Sequence, residues 1–509
     1  MLHRSRLLLP IAAVVLLLAW WSGAYSQRRA DAVRVHFSTS KRGVRLGIAV
    51  PQKRHSCAVA RLQLTNTAVA QQTVIEHGMA CALFVLNDLA VDTRYVYRVL
   101  CAADVGSNQA FTEIAQGTFH TLGGPRRTTF AFGSCIWPLP FTALRPFSFM
   151  RALSSKGTTR QRVSARATDS IEIDFFLING DAVYADTSWS FRSAYGALWA
   201  DDGFRRLTRS VSLFTMFDDH EYSNDAENAF AQPAFHRAID AWRTHLGRTN
   251  PPSPRVVTRQ VGGTALPRRH DYAVDAGAAR MLVLDTFSHR DSSSDPCTLL
   301  GLTQRERMLA WLAEARAAPD VEALFIVSPL PASVGNETVR TWGLPVGPGV
   351  QQFTSFWQCS GDLDVLLEAL EVGRAPPPPL FLLSGDLHYS RVLEVRAPSA
   401  SASLRENSEN PDNPVLLREI VSAPLYNFMT ESSGAREDAA SLADADAFEQ
   451  TRTLFESSGA QHVAVIDVEP SKLIRVQLWR YGLFTDRRAL AWELEVPLQP
   501  PTSTPERAV

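Results

Sequence analysis

The sequence predicts a layered α/β or α+β body preceded by a small all-β sandwich of immunoglobulin or fibronectin type. Three observations carry this expectation. Residues 44 to 121 hold only short apolar stretches with polar residues between them. After Pro125 the chain changes to apolar strands separated by long segments with helical periodicity, and a Gly123-Gly124-Pro125 turn divides the two regimes.

At 509 residues there is room for about three domains at ~150 residues each, or for one large body and a smaller module. A composition of 45% hydrophobic and 20% charged residues excludes collagenous and wholly disordered classes. Lys plus Arg number 51 against 52 Asp plus Glu, a formal net charge of -1. No global basic field recruits nucleic acid, and no interleaving of basic and aromatic residues suggests a nucleic-acid-binding domain.

Taking the elements in order, Arg4 and Arg6 precede an apolar run from Leu7 to Trp21, followed by Ser22, Gly23 and Ala24. That order predicts a signal peptide or an uncleaved signal anchor over residues 1–25. The body is accordingly expected to be exported, either secreted or membrane-anchored on the far side of a membrane. Residues 26–40 are polar and basic and read as a linker, and residues 41–123 as the sandwich. Within it, Asp92 to Val99 alternates so that Tyr95, Tyr97 and Val99 share one face. Residues 124–500 form the expected catalytic body. Its candidate strands are Thr129 to Phe132, Ile173 to Ile178, Leu213 to Phe217, Met281 to Leu284, Ala323 to Val327, Leu380 to Leu383, His462 to Ile466 and Leu473 to Leu478. Thr303 to Ala317 carries a helical apolar stripe, and Phe235 to Leu246 a less regular one.

Six cysteines are too few for a dense disulfide framework in a chain of this length. Pairs within Cys57, Cys81 and Cys101, or between Cys297 and Cys359, stay open. Asn336-Glu337-Thr338 is a glycosylation sequon, relevant to a glycoprotein of the eukaryotic secretory route.

The chemistry gathers where four strands end. Thr129 to Phe132 runs into Gly133-Ser134-Cys135, and Ile173 to Ile178 into Asn179-Gly180-Asp181 with Tyr184 after it. Leu213 to Phe217 leads to Asp218-Asp219-His220-Glu221, and Leu380 to Leu383 to Ser384-Gly385-Asp386-Leu387-His388. Carboxyl ends of strands are where loops converge above a rigid floor. A single Gly-Asp is an ordinary turn, but two copies beside an Asp-Asp-His make an inventory of metal ligands. Adjacent carboxylates at the end of an apolar strand repel one another and lose hydration, and a cation removes that cost.

These motifs resemble those of the PhoD-like alkaline phosphatases, within the calcineurin-like metallophosphoesterase superfamily. The resemblance covers about residues 129 to 480, with Leu284-Asp285-Thr286, Gln304 and Ser422-Ala423-Pro424 as weaker matches. It implies a metallophosphoesterase-type β-sandwich flanked by helices, hydrolysing phosphate monoesters with a metal-activated hydroxide. Carried over residue by residue, it implies that Asp181 bridges two metals. Cys135, Tyr184 and His388 would face the first, expected to be Fe3+, and Asp219 and Asp386 the second, expected to be Ca2+, with Zn2+ or Mn2+ as alternatives. His220 would be catalytic beside the phosphorus, and Glu221 either an orienter of an imidazole or a surface residue.

One motif departs from the family pattern. Asp285-Thr286-Phe287-Ser288-His289-Arg290 has Phe287 and His289 where arginine and tyrosine are expected, which removes one guanidinium grip on phosphate. Arg290 remains a candidate substrate contact, with a structural ion pair as its alternative. Two other functions stay open: phosphodiester hydrolysis at the same site, and an inactive membrane-proximal binding module. A phosphate ester is the expected small-molecule partner, and the membrane is one only if the N-terminal segment is retained.

Overall fold

The computed structural model describes residues 33–498 apart from 52–55, 65–67, 77, 105–109, 125, 138–146, 148–171, 189, 254–269, 292, 296, 333–359, 372–376, 387, 397–414, 423–424, 426–450, 459–460 and 482–487. The N-terminal apolar run and the Asn336 sequon lie outside the described residues. Among the described residues no helix is long and apolar enough to cross a membrane.

The first eight strands are β1 (Arg34–Ser40), β2 (Gly43–Pro51), β3 (Val59–Leu64), β4 (Ala68–Gln72), β5 (Val74–Glu76), β6 (Met79–Leu86), β7 (Arg94–Ala102) and β8 (Thr112–His120). They form two four-stranded antiparallel sheets, ordered β1-β2-β6-β5 and β4-β3-β7-β8. Alternate apolar residues, among them Phe37, Leu46, Leu62, Phe84, Tyr97 and Phe119, fill one core between the sheets. Cys57 and Cys101 are joined in a disulfide, which leaves Cys81 buried and free; Cys297 is also disulfide-bonded.

Residues 34–40, expected in a linker, are strand β1. Val35 and Phe37 enter the sandwich core, while Arg34, His36 and Ser38 are buried on the other face against the larger body. Arg34 Nη1 meets His245 Nδ1 at 2.7 Å, and the Thr39 amide donates to Ser212 Oγ at 2.9 Å. Polar residues signal exposure only when nothing covers them, so the sequence hid this strand.

The larger body begins with β9 (Thr128–Gly133), β10 (Phe175–Asn179), helices α1 (Phe191–Ala200) and α2 (Asp202–Leu207), β11 (Ser212–Met216) and α3 (Pro233–His245). Then come β12 (Tyr272–Ala276), β13 (Ala279–Val283), α4 (Gly301–Ala317), β14 (Ala323–Ser328), α5 (Asp362–Glu371), β15 (Leu380–Ser384), β16 (Tyr389–Arg396) and β17 (Val415–Val421). Strands β18 (Thr451–Ser458), β19 (Gln461–Glu469), β20 (Leu473–Tyr481) and β21 (Arg488–Pro497) complete it.

Two sheets result, one of six strands in the order β11-β10-β9-β19-β20-β21 and one of seven in the order β12-β13-β14-β15-β17-β16-β18. In the first, β11, β10 and β9 run parallel and β19 joins β9 antiparallel, and in the second β13, β14, β15 and β17 run parallel; β9, β10, β14 and β15 are buried at every position, as continuous apolar runs require. The sheets share a core in which the Phe130 ring stacks on Phe175 at 4.7 Å and meets Phe325 of the other sheet edge-on at 5.2 Å. Period-2 alternation divides the second sheet: Phe325, Val327, Phe381 and Leu383 face that core, while Leu324, Ile326, Leu380 and Leu382 belong to a separate cluster with Met308 and Leu312 of α4 and Leu366 of α5. The structure is thus a bilobed one, two all-β N-terminal sheets beside a two-sheet body with flanking helices.

Candidate metal centre

Strands β9, β10 and β15 each end in a turn through the left-handed region. Cys135 has φ 60°, Asp181 52°, Asp386 62° and His388 33°, and Gly180 before Asp181 has 85°. Such backbone costs about 1–3 kcal/mol for a residue that disfavours it, so it persists only where surrounding bonds fix it. Here the Ile136 amide donates to the Asp181 carbonyl at 2.8 Å, and the Asp386 amide to Ser134 Oγ at 3.2 Å. Gly385 permits the close approach: a Cβ there would lie 2.6 Å from Ser134 Oγ and 2.8 Å from the Asn179 carbonyl oxygen.

The two sheets are clipped together beneath the turns. Asn179 Nδ2, at the end of β10, donates to the carbonyls of Ser328 and Leu383 in the other sheet, each at 3.0 Å. Ser422 adds a second clip, its amide bonded to the Ser384 carbonyl and its own carbonyl accepting from Ser134.

Above this floor the predicted residues converge. Three groups bring ligand atoms within 4.8 Å of one another: Cys135, Asp181 and His388; Asp181, Asp219 and His220; and Asp218, Asp219 and Asp386. Asp181 belongs to the first two, as a bridging carboxylate would. Cys135 Sγ is 3.7 Å from Asp181 Oδ2, and Tyr184 Oη is 2.9 Å from His388 Nε2. Trp137 stacks on Tyr184 with ring centroids 5.0 Å apart, and the His220 ring lies 4.0 Å from the same Tyr184 ring.

Without a cation this cluster resists its own charge. Burial raises the acid groups of Asp181 and Asp218 well above the carboxylate range, and neighbouring Asp219 raises both further. Asp386 is pushed up to about 7 by burial and by Asp219. The Cys135 thiol is raised by burial and then by Asp181 and Asp386, and the Tyr184 phenol by burial and the same anions. Asp218 Oδ1 is buried with no hydrogen-bond partner. A thiol, a phenol, an imidazole and four carboxylates, held together by backbone and with an orphaned oxygen among them, fit cations of the thiolate- and oxygen-binding kind.

His220 shows the opposite effect. Burial works against its charged form, yet a 2.7 Å bond from Nδ1 to Asp186 Oδ2 and the charge of Asp219 raise it to about 9. His388 is lowered to about 4 by burial and by the neighbouring charge of His220. Asp186 escaped the sequence reading. Its signal was present only as a carboxylate five residues beyond Asp181, on a loop whose fold was unknown.

Two residues have other roles than expected. Glu221 is neither at the surface nor on an imidazole. Its buried carboxylate accepts from the backbone amides of Asp181 at 3.1 Å, Ala182 at 2.6 Å, Val183 at 3.3 Å and Asp218 at 2.8 Å, and so staples two ligand turns together. Phe287 is fully buried among Phe217, Tyr222 and Phe235, so its side chain offers nothing to a substrate. Arg290 lies over the Phe287 ring at 4.6 Å, donates from Nε to the Ala226 carbonyl, and reaches Asp219 Oδ2 at 4.0 Å. It is 1% exposed and meets the site from beneath, through Asp219.

No protein-family model and no curated sequence matches this chain. Four solved chains match it in three dimensions, among them the two that follow. The structure of PhoD shares 14% identity at a TM-score of 0.65, covering 92% of this chain and 90% of that one. The likeness is one of fold. The purple acid phosphatase PPD1 from yellow lupin (Lupinus luteus) seeds shares 11% identity at a TM-score of 0.55, covering 92% of this chain and 74% of that one. At these identities the likeness shows the fold, within which the clusters described above could hold metal ions.

Proposed function

We propose that the chain is a PhoD-like phosphoric ester hydrolase that uses two metal ions and acts first on phosphomonoesters. The observation that carries this reading is Asp181, whose carboxylate belongs at once to the Cys135–His388 group and to the Asp219–His220 group. In this reading Cys135, Tyr184, His388 and Asp181 hold one ion, for which thiolate and phenolate donors favour Fe3+. Asp181, Asp219 and Asp386 hold the other, for which carboxylates suit Ca2+, and Asp218 joins them from below. Such ions, when bound, neutralise phosphate charge and acidify a water molecule.

The remaining steps belong to the chain. His220, oriented by its Nδ1 bond to Asp186, donates a hydrogen bond to a phosphoryl oxygen or a proton to the leaving oxygen. Glu221 fixes the turns that carry Asp181 and Asp218. Arg290 offsets the charge of Asp219 rather than gripping substrate. The diester alternative loses its support at position 287, because the arginine replaced there would have lain in the aromatic core. An inactive binding module would have no physical reason to keep this many mutually repelling anions buried together.

Export is part of the proposal, since disulfides persist in oxidising compartments and Cys57–Cys101 is one. The sandwich and body are proposed as separate domains, with the sandwich enlarged to include β1. Elemental and optical analysis of purified protein, together with turnover of matched aryl phosphomonoester and phosphodiester substrates, tests the reading. Two metals per chain, a visible thiolate or phenolate charge-transfer band and a higher kcat/KM for the monoester are expected. Zinc alone with no band removes the iron assignment, and no ester turnover with a full metal complement removes the function.

A further inference from the structure

A cavity of about 590 Å³ lies between the N-terminal sheets and the larger body, lined by Arg45 and Glu76 from one side and by Trp242, Arg248 and Pro251 among others from the other. It shares no residue with the metal-ligand groups. Its size is that of a small-molecule site, and its wall is polar.

The charges in this wall do not balance. Glu76 is taken up by an ion pair with Arg248 and by a 3.0 Å bond from Thr244 Oγ1. The other lining carboxylate, Asp240, is exposed to solvent. Arg45 has a single long hydrogen bond, 3.5 Å from Nη2 to the Arg248 carbonyl, and its Nε is buried with no partner. Among the described residues no carboxylate pairs with it. Arg45 is half-buried, enough that lost hydration lowers its pKa, and a guanidinium partly withdrawn from water without a counter-charge favours an anionic partner. Gly247 lies directly on the Trp242 ring, where a Cβ would come within 2.5 Å, and so covers it.

We propose that this cavity is a second ligand site, for a small organic anion whose phosphate or carboxylate head pairs with Arg45 and whose apolar part lies against Pro251 and Pro252. The guanidinium fork supplies the anion contact that no protein group makes, and the two prolines supply area for the organic part. Because both lobes line the site, an occupant also holds the lobes together.

Calorimetric titration of the metal-loaded full chain with phenylphosphonate, and separately with benzoate, tests this and distinguishes the two head groups. The proteins compared are wild type, Asp181→Asn, Arg45→Gln and Arg45→Lys, each checked for a cooperative thermal melt. Binding is expected to survive Asp181→Asn, to weaken about tenfold or more in Arg45→Gln with the loss of a charge-assisted bond, and to be intermediate in Arg45→Lys. If neither anion binds Asp181→Asn protein, or if that binding is equally tight in the two Arg45 variants and wild type, the proposal is overturned. Should Arg45→Gln fail to fold, the comparison of Arg45→Lys with wild type decides it.

Discussion

Replacing Glu221 tests how much of the metal centre is held by backbone bonds rather than by ions. Its carboxylate is 1% exposed and accepts from four amides, those of Asp181, Ala182, Val183 and Asp218. Each amide stranded in the interior costs about 1–3 kcal/mol, so Glu221→Ala has a ceiling of about 4–12 kcal/mol. That is comparable with the ~5–15 kcal/mol that holds a whole domain folded, and the alanine variant is expected not to accumulate as folded protein. Glu221→Gln is the informative change. Its one carbonyl oxygen can accept two of the four bonds, while its NH2 group faces donors, which sets a loss of about 2–6 kcal/mol. Burial holds the carboxyl at about 7 even though four amides favour its charge, so removing that charge from beside Asp181 returns part of the loss. The expected outcome is therefore near the lower figure, about 2 kcal/mol, with weaker retention of metal because the turns bearing Asp181 and Asp218 are no longer stapled. Urea unfolding and metal content after dialysis measure the two effects. A Gln variant with wild-type midpoint and full metal would show that the staple does not hold the site, and would refute the reasoning.

Three further outcomes follow from the same coordinates. Asp186→Asn is expected to lower turnover by about 10–100-fold with metal content unchanged, whereas Asp181→Asn lowers both; loss of metal from Asp186→Asn would place Asp186 among the ligands. Gly385→Ala, whose Cβ would lie within 2.8 Å of the Asn179 carbonyl, is expected to cost about 1–3 kcal/mol by denaturant unfolding, and a neutral result would mean that the turn has room to move. His36 is lowered to about 3 by burial and by Arg248, so the unfolded chain binds a proton that the folded one refuses. Its contribution is complete above the unfolded value of about 6.5 and is lost towards 3, by up to about 1.4 kcal/mol per pH unit. The acid limb of a Tm–pH profile should flatten in His36→Gln, and an unchanged limb would exclude His36 as its source.

Much of the site was legible because its strands are buried on both faces. β9, β10, β11 and β15 read as continuous apolar runs, and each ends in polar residues too costly to gather without a purpose. The candidate strands at 281–284, 323–327, 462–466 and 473–478 and both helical stripes also correspond to elements, with ends shifted by at most three residues. What stayed hidden depends on what lies across from a residue rather than on the residue itself. β1 carries arginine, histidine and serine on a face that another lobe covers. The Glu221 staple is written in backbone amides, which every residue has, and the His220–Asp186 bond joins two loops whose meeting no local pattern announces. The motif places Phe287 where a substrate-gripping arginine is expected, whereas the aromatic neighbours that enclose it come from the segment after β11 and from α3.

The Asn179 and Ser422 bonds have a consequence for how the centre behaves as a container. Cys135, Asp181 and Asp219 issue from one sheet, and Asp386 and His388 from the other. Because the protein fastens the two sheets directly, the distance between the halves of the site is a property of the frame and not of its contents. Exchanging one metal for another would then alter acidity and ligand affinity at nearly constant spacing. A frame of this kind keeps the same geometry whichever cation occupies it.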